Sequence, residues 1–412
     1  MLGKFVCLLL IASVVLAAKQ CNEKKPKKGV NLASVSNEQL TGKALVTYIN
    51  KLNGGWKAQY NKNFIRTKLT ELKRLAGVKP DIQRVYAKDA SVQSDFIPDF
   101  FSKISDADIP KEFDSRKAWP ECSKHIGKVF DQSLCGSCWA VSSSTALSDR
   151  FCIKSKGRVQ VDLSVSNLIS CCSECSGGAG YGCVGGYPIK AYAFMQEEGV
   201  VSGGNYSNVE GCLPYNFPPC EHGNGDEKGN YPICYGRSYK PKACTHECRK
   251  GFKRDFEDDK YYALNSYTFK NDPTKHSKRT DDKRVRDILR SLHKSFVVRP
   301  LVFTALRMYE DFLYYRSGVY EHKAGRFLGL HAIRVIGWGV EKETPYWLVA
   351  NSWNEDWGDN GLFKIKRGNN ECGIESVADV GIPDLERSAH SSGFSGVIEE
   401  ELALLSIVVC TD

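Results

Sequence analysis

The chain has 412 residues, 42% of them hydrophobic and 25% charged, enough for a sizeable core and unlike a disordered or fibrous protein. Its net charge of +9 would suggest a nucleic-acid partner if the excess were spread along the chain. Instead seventeen Lys or Arg stand against nine Asp or Glu between Ala18 and Ile109, and the sequence from Pro110 onward balances to about zero, so no nucleic acid is expected.

In chain order, Lys4 followed by an apolar run over residues 5–16 and the small residue Ala17 predicts an export signal over residues 1–17. The run is too short for a membrane span, which needs about 20 apolar residues. Residues 18–36 are Lys-rich. Apolar or aromatic residues at Leu40, Ala44, Val46, Tyr48, Ile49, Leu52 and Trp56 predict a helix broken at Gly54-Gly55, and a second short helix is expected over residues 67–75. Asp-rich sequence follows to Asp108, and from Pro110 the chain becomes rich in Cys, Gly and aromatics. Residues 137–154 predict a helix with small residues, Ala140 and Ser144, on one face. Residues 171–250 predict loops stapled by disulfides, and within them Asn205-Tyr206-Ser207 is a glycosylation sequon. A charged loop over 270–283 and a short helix over 284–293 precede strands from residue 301 onward, notably residues 332–336 and 346–349. The tail after Glu386 ends in an apolar run over residues 402–410, again too short to span, so no stable membrane anchor is expected.

Of the seventeen cysteines, fourteen lie between Cys122 and Cys372; Cys7, Cys21 and Cys410 lie outside. Behind an export signal, disulfides are the default. One string stands apart: Cys135-Gly136-Ser137-Cys138-Trp139 puts Cys138 at a helix start, where the helix N-terminus stabilises a thiolate. A thiolate attacks peptide carbonyls if a base and oxyanion donors are beside it. His331, in Gly329-Leu330-His331-Ala332, begins an apolar strand that would hold an imidazole rigidly. Asn351, in Asn351-Ser352-Trp353, ends a second strand and can accept a hydrogen bond from that imidazole, with Trp353 shielding it. Alone, the cysteine string already favours a nucleophile over a paired cysteine, while a lone histidine before a strand is usually structural; the three together point to a nucleophile, its base and an orienting amide. With Cys138 so used, one further cysteine stays free and twelve remain for six bridges.

These strings resemble the active-site signatures of the papain family of cysteine proteases, and within it the cathepsin B group, from about Leu40 to about Leu385. Trp119-Pro120-Glu121-Cys122, Asp131-Gln132, Asp149-Arg150, Cys171-Cys172, Gly185-Gly186-Tyr187-Pro188, Val201-Ser202-Gly203-Gly204, Pro218-Pro219-Cys220-Glu221-His222 and residues 346–361 carry the resemblance. It implies an α+β, papain-like two-lobed fold: a helical lobe, a β-barrel-like lobe, the active-site cleft between them, and a propeptide in front. It divides the chain into a signal (1–17), an inhibitory propeptide (18–108), a peptidase domain (109–386) with an occluding-type loop (220–234), and an extension (387–412), expected to be trimmed or loosely docked. Trp56-Lys57-Ala58 and Leu72-Lys73-Arg74-Leu75 match the cathepsin B type of propeptide.

The implied activity is peptide hydrolysis through a thioester acyl-enzyme, with Cys138, His331, Asn351 and Gln132 catalytic, Gln132 giving its amide to the oxyanion together with the Cys138 N–H. Gly185 and Gly186 would offer bare backbone to an extended substrate; Tyr187, Ala305, Leu330, Ala332, Trp353 and Val377 would line its site. The resemblance also implies the pairs Cys122–Cys152, Cys135–Cys183, Cys171–Cys244, Cys172–Cys175, Cys212–Cys248 and Cys220–Cys234, with Cys372 free. It implies no cofactor and no metal. Expected partners are protein and peptide substrates, the chain's own propeptide and cystatin-type inhibitors, met on the secretory route, in a lysosome-like acidic vesicle or outside the cell.

The sequence departs from the cathepsin B pattern in four places. The occluding-type loop keeps His222, with Asp131 to pair with it, but has Gly223 where a second histidine is expected, so dipeptidyl-carboxypeptidase activity should be weakened. Val377 replaces a glutamate at the base of the S2 pocket. Leu330 replaces the glycine before the histidine, and Ser133-Leu134 replaces Gly-Ser before Cys135. The last two sit beside the cleft and keep open one rival, a catalytically impaired homologue that binds peptides or partners; a second rival is a peptide ligase using the same site, which product assays separate.

Overall fold

The computed structural model describes residues 40–61, 64, 67–82, 85, 110–178, 180–206, 208–222, 231–234, 239–270 and 302–392. The export signal, the Lys-rich stretch, nearly all of the Asp-rich stretch with the cleavage point near Ile109, the 271–283 loop, the 284–293 helix, Gly223, the tail from 393, and Cys7, Cys21 and Cys410 lie outside the described residues.

Small residues make the central helix possible. The Cys138–Lys154 helix is buried through Ile153, so each of its polar side chains needs a partner inside the protein. Its serines satisfy this locally: Ser142 Oγ donates to the Cys138 carbonyl (2.7 Å), Ser143 Oγ to that of Trp139 (2.8 Å) and Ser148 Oγ to that of Ser144 (2.8 Å). Around this helix the helical lobe packs Trp139, Leu147, Phe151, Leu168, Tyr192 and Met195. Tyr192 and Met195 belong to the Pro188–Glu197 helix, which opens on Pro188 at a position where the missing N–H costs nothing. The density of Cys, Gly and Pro over 171–250 hides this helix, because those residues cluster on either side of it.

The second lobe is a sheet. Its strands are β1 (Trp56–Ala58), β2 (Phe113–Asp114), β3 (Val200–Val201), β4 (Lys260–Lys270), β5 (Val302–Tyr309), β6 (Tyr315–Tyr320), β7 (Phe327–Glu341), β8 (Thr344–Ala350), β9 (Leu362–Lys366) and β10 (Val377–Asp384). The spatial order is β1-β6-β9-β8-β7-β5-β10-β4-β3, with β2 pairing β7. Strand β7 is buried continuously from His331 to Gly339, which is why, His331 and Arg334 apart, its sequence is apolar on both faces rather than alternating. Phe312, Trp353, Trp357 and Phe363 form the aromatic centre of this lobe, with ring centroids 4.9–5.5 Å apart for Phe312 and its three neighbours.

One ion pair ties the lobes together. Asp149, on the helix that begins at Cys138, pairs with Arg334, on the strand that carries His331; both are buried. Arg334 spends its remaining donors on the carbonyls of Ile126 (3.1 Å) and Lys128 (2.8 Å).

Disulfides join Cys122–Cys152, Cys135–Cys183, Cys171–Cys244, Cys172–Cys175, Cys212–Cys248 and Cys220–Cys234; among the described residues Cys138 and Cys372 are free. The N-terminal segment docks on the sheet. Its Gly42–Leu52 helix ends at Asn53 in a left-handed cap, and β1 then adds antiparallel to β6. The Trp56 indole donates to the Glu321 carbonyl (2.9 Å) and its ring lies 5.1 Å from that of Tyr320. Residues 385–392 form a helix that spans the expected boundary between peptidase domain and extension: Tyr262 N–H donates to Ser388 Oγ (3.0 Å) and Arg387 stacks over the Tyr262 ring.

Breaking a buried pair leaves one charge uncompensated, so Asp149→Ala should destabilise the protein by about 3–5 kcal/mol, measured from the shift of its guanidinium unfolding midpoint. A loss below about 1 kcal/mol would mean that apolar packing alone holds the lobes.

Candidate functional site

The site forms where the Cys138 helix faces β7 and the end of β8. Cys138 is the first residue of its helix and fully buried. His331, also fully buried, places Nε2 2.8 Å from Asn351 Oδ1. That oxygen also accepts the Ser352 backbone N–H at 2.8 Å. An atom accepting a backbone N–H is an oxygen, so His331 Nε2 must be the donor. The neutral ring therefore carries its proton on Nε2, and its lone pair is on Nδ1, which is buried and makes no hydrogen bond. The Trp353 ring lies 5.0 Å from the imidazole and shields it.

Gln132 is held in one orientation. Its Oε1 accepts from Ser352 Oγ (2.6 Å), while its Nε2 donates to the carbonyls of Cys135 (2.9 Å) and Leu75 (3.2 Å). Asp131, next to it, accepts from the Ser133 N–H (2.7 Å), the Cys220 N–H (2.9 Å) and Asn354 Nδ2 (2.9 Å), and its Oδ1 lies 3.0 Å from His222 Nε2. Ser133 stands at φ 55, the region that favours glycine. Two bonds hold it there, from its N–H to Asp131 and from its Oγ to the Pro218 carbonyl (2.6 Å), so replacement of the expected glycine is absorbed locally. Leu134 is buried.

The Leu75 carbonyl belongs to the N-terminal segment, which runs through the cleft. Gly77 N–H donates to Cys138 Sγ (3.1 Å), and Ala332 N–H does so at 3.4 Å. Gly186 N–H donates to the Gly77 carbonyl (2.9 Å), Lys79 N–H to the Gly186 carbonyl (3.2 Å) and Val78 N–H to the Leu330 carbonyl (3.0 Å). Gly185 and Gly186 thus present backbone to an extended chain, and that chain is the protein's own. A Cβ on Gly186 would lie 2.6 Å from the Trp139 ring; one on Gly77 would lie 2.2 Å from the Gly136 carbonyl oxygen. Val78 and Ile82 pack with Cys138, Ile189, Ala332 and Val377, flanked by Tyr187, Ala305 and Leu330. Tyr187 OH donates to Asp81 (2.8 Å).

Covering the cleft changes the acid–base state beneath it. Burial pushes the Cys138 thiol up to about 11, against the opposing pull of the Ala332 and Gly77 N–H groups. Burial also lowers His331 to about 4, opposed by Asn351 and the nearby Leu75 backbone. Between these values both groups are neutral.

The substrate-side residues separate into two regions. Ala305, Leu330 and Val377 line a pocket of about 580 Å³ that reaches out past Arg307 and Tyr309. Glu375 does not enter it: its carboxylate accepts from the Trp347 indole (2.9 Å) and the N–H groups of Gly368 (2.7 Å) and Asn370 (2.8 Å). At the other end, His222 is buried and its carbonyl accepts from Asn61 Nδ2 (3.1 Å) of the N-terminal segment. Asn205 is half-buried and lines a small cavity with His125, Asp149 and Asp162. Cys220, His222 and Cys234 have metal-ligand chemistry, but both cysteines are bonded to each other.

Reasoning from the sequence missed Ser352, which fixes both Gln132 and Asn351, and Gly77, which faces the thiol. Ser352 was legible as the middle of Asn-Ser-Trp; Gly77 gave no signal, because nothing in Ala76-Gly77-Val78 marks which glycine meets a sulfur.

The family described as papain family cysteine protease matches residues 109–382. The chain is 41% identical over 339 residues to a cathepsin B-like cysteine proteinase of Schistosoma japonicum, covering 82% of this chain and 90% of that one. It is 38% identical over 355 residues to cathepsin B-like cysteine proteinase 1 of Ostertagia ostertagi, covering 84% and 94%. Among solved structures it is similar to procathepsin B S9 from Trypanosoma congolense, with a TM-score of 0.65 and 34% identity over 84% of this chain and 99% of that one.

A methyl at residue 77 cannot fit against Gly136 unless the segment lifts. Gly77→Ala in the full chain should therefore raise the rate at which iodoacetamide labels Cys138 at pH 7 by about tenfold or more, a loosening of at least ~1.4 kcal/mol. An unchanged rate would show that the segment does not limit access to the sulfur.

Proposed function

The chain belongs to the papain family of cysteine proteases and is a cathepsin B-like cysteine peptidase; on that premise we propose that Cys138 is its nucleophile, His331 its base, Asn351 the group that orients the base, and Gln132 the oxyanion donor. One observation carries this reading: an imidazole fixed with its proton on Nε2, and its lone pair on Nδ1, in the same cleft as an unpaired cysteine at a helix start. The Nδ1 lone pair takes the thiol proton, and the thiolate attacks the substrate carbonyl. The oxyanion accepts from Gln132 Nε2 and the Cys138 N–H. The imidazolium then protonates the leaving amine, and water hydrolyses the thioester by the same route in reverse.

Cys138→Ala should abolish turnover of a fluorogenic peptide, His331→Ala should nearly do so, and Asn351→Ala should lower kcat while retaining measurable turnover, since it orients but transfers no proton. Thiol-dependent cleavage by Cys138→Ala would overturn the assignment. Intact turnover likewise separates this reading from an impaired homologue that only binds peptides.

We further propose that the segment through the cleft is the inhibitory propeptide, that it is removed near Ile109, and that the precursor is latent because the Leu75 carbonyl occupies the Gln132 donor and Gly77 covers the sulfur. Latency should depend on pH through His331. Its pKa in the closed precursor is about 4, below the ordinary value near 6.5. The open form therefore binds more protons between those values, and acid favours opening by up to on the order of 3 kcal/mol at pH 4. Opening of the intact precursor, read as the rate at which an added protease cuts its N-terminal segment relative to an unfolded control substrate, should therefore increase as pH falls from 6.5 toward 4. A relative cutting rate that only rises with pH would contradict this.

Enzyme action is proposed along the secretory route, in an acidic lysosome-like vesicle or outside the cell; the six disulfides support an oxidising origin. Protein and peptide substrates and cystatin-type inhibitors follow from the same reading. Dipeptidyl-carboxypeptidase activity is proposed to be weak, because His222 lacks a second imidazole at Gly223; a charge-assisted hydrogen bond contributes roughly 1.5–3 kcal/mol. Cleavage of peptides with free against amidated C-termini measures it, and a strong preference for the free carboxylate would reject it. Asn205 is proposed as a glycan acceptor, detectable as a mass loss on deglycosylation; no mass loss would reject it.

A further inference from the structure

We propose that Arg307 gives the pocket for the second side chain before the scissile bond, P2, a basic outer wall, and that the enzyme therefore favours an acidic P2 side chain, glutamate above aspartate. The inference deepens the peptidase reading and rests on it.

The placement follows from strand register. In the β5–β7 ladder Ala305 stands opposite Ala332, and Arg307 stands opposite Leu330. Side chains two apart share one face of a strand, so Ala305, Arg307, Leu330 and Ala332 share one surface, with the two alanines at one end and arginine at the other. Three of these, Ala305, Arg307 and Leu330, wall the pocket of about 580 Å³, with Val377 closing it from below. Its inner part is apolar. Its outer part carries a guanidinium, which is always charged.

This guanidinium is exposed, and among the described residues no carboxylate pairs with it. Its own contact is the face of Phe327, 5.7 Å from its central carbon, which leaves its N–H groups open. The acidic groups around the pocket are committed elsewhere. Glu375 accepts three bonds on the far side of its loop. Glu371 accepts from His322 N–H (3.1 Å) and Asn369 Nδ2 (3.4 Å). Glu310 holds Arg326, and Asp311 holds Tyr320 and His322. The N-terminal segment sends Pro80 and Ile82 to this pocket, while the aspartate between them, Asp81, turns away to Tyr187. Among the described residues of the propeptide, none answers the arginine.

A substrate glutamate fits this gradient. Its methylenes cover Ala305, Leu330 and Val377, and its carboxylate reaches the guanidinium, where a two-pronged contact is available. Aspartate is one carbon short. Arginine or lysine at P2 meets a like charge and no counter-charge. Exposed pairs contribute little and sheltered bidentate ones more, so the expected preference for P2 glutamate over its neutral isostere glutamine is about three- to tenfold in kcat/KM.

The test uses the mature enzyme produced by processing of the full chain. Matched peptides differing only in Glu or Gln at P2 are compared on wild type, Arg307→Gln and Arg307→Glu, at low and high salt. The Glu/Gln ratio should exceed one in wild type, fall with salt, approach one in Arg307→Gln and drop below one in Arg307→Glu. A ratio at or below one in wild type, or one unmoved by either substitution, would overturn the proposal while leaving the peptidase intact. The same two peptides are also titrated by fluorescence anisotropy against Cys138→Ala, with and without Arg307→Gln. A Glu preference there that Arg307→Gln removes supports the pocket even if turnover disproves the peptidase reading. Equal affinities rule the pocket out by a measurement that needs no catalysis.

Discussion

The site exists because Asp149 and Arg334 meet. One end of the Cys138 helix is fixed by packing within the helical lobe, and β7 is fixed by its neighbours in the sheet. Neither lobe alone determines how far a sulfur at the head of that helix lies from an imidazole on that strand. The buried pair does so, with Arg334 anchored in turn on the carbonyls of Ile126 and Lys128. A buried ion pair adds little net stability over an apolar contact. Its directional bonds add a geometric constraint on how the helix seats on the sheet, alongside those of Ser352 with Gln132 and of Arg150 with the Gly381 carbonyl.

In the proposed precursor the N-terminal segment engages the same groups that would perform the reaction. The amide of Gln132, the sulfur of Cys138 and the backbone of Gly186 each bind the N-terminal segment as they would bind a substrate. The segment pairs with Gly186 in parallel orientation through Val78. It therefore occupies the donors without having to present a peptide bond in the geometry of attack. Excluding water completes the effect, because a neutral thiol and a neutral imidazole are the stable forms in a dry cleft.

Much of this was legible in the sequence, and the reason differs from part to part. The helix at Cys138 and the strands at His331 and Tyr346 follow from local pattern, since burial on both sides leaves a run of small or apolar residues. The chemistry was legible because Cys-Gly-Ser-Cys-Trp, the histidine and Asn-Ser-Trp form a rare combination, which relatives at 38–41% identity then place in a family. The disulfide connectivity was not legible from spacing; it came with the resemblance. The Pro188–Glu197 helix was hidden by the cysteines and glycines flanking it. The Asp149–Arg334 pair was invisible because the two residues are 185 positions apart and neither stands in a charged pattern. Arg307 escaped notice for the opposite reason: on an exposed strand position an arginine looks like ordinary surface until register sets it across from Leu330.

Strand β1 has a final consequence. It is the outermost strand of the sheet and belongs to the segment that the proposed maturation removes. When it leaves, β6 becomes the border of the sheet, with backbone donors and acceptors bared along Arg316–Val319 and an aromatic notch over Tyr315 and Tyr320 where the Trp56 ring had rested. A bare border is a template for another strand. The glycine at its centre, Gly318, holds φ +87 and lets a second backbone come within contact of it. The proposed maturation would therefore uncover two unlike surfaces at once: the cleft and, along β6, a sheet margin whose backbone is left without a neighbour on its outer side among the described strands.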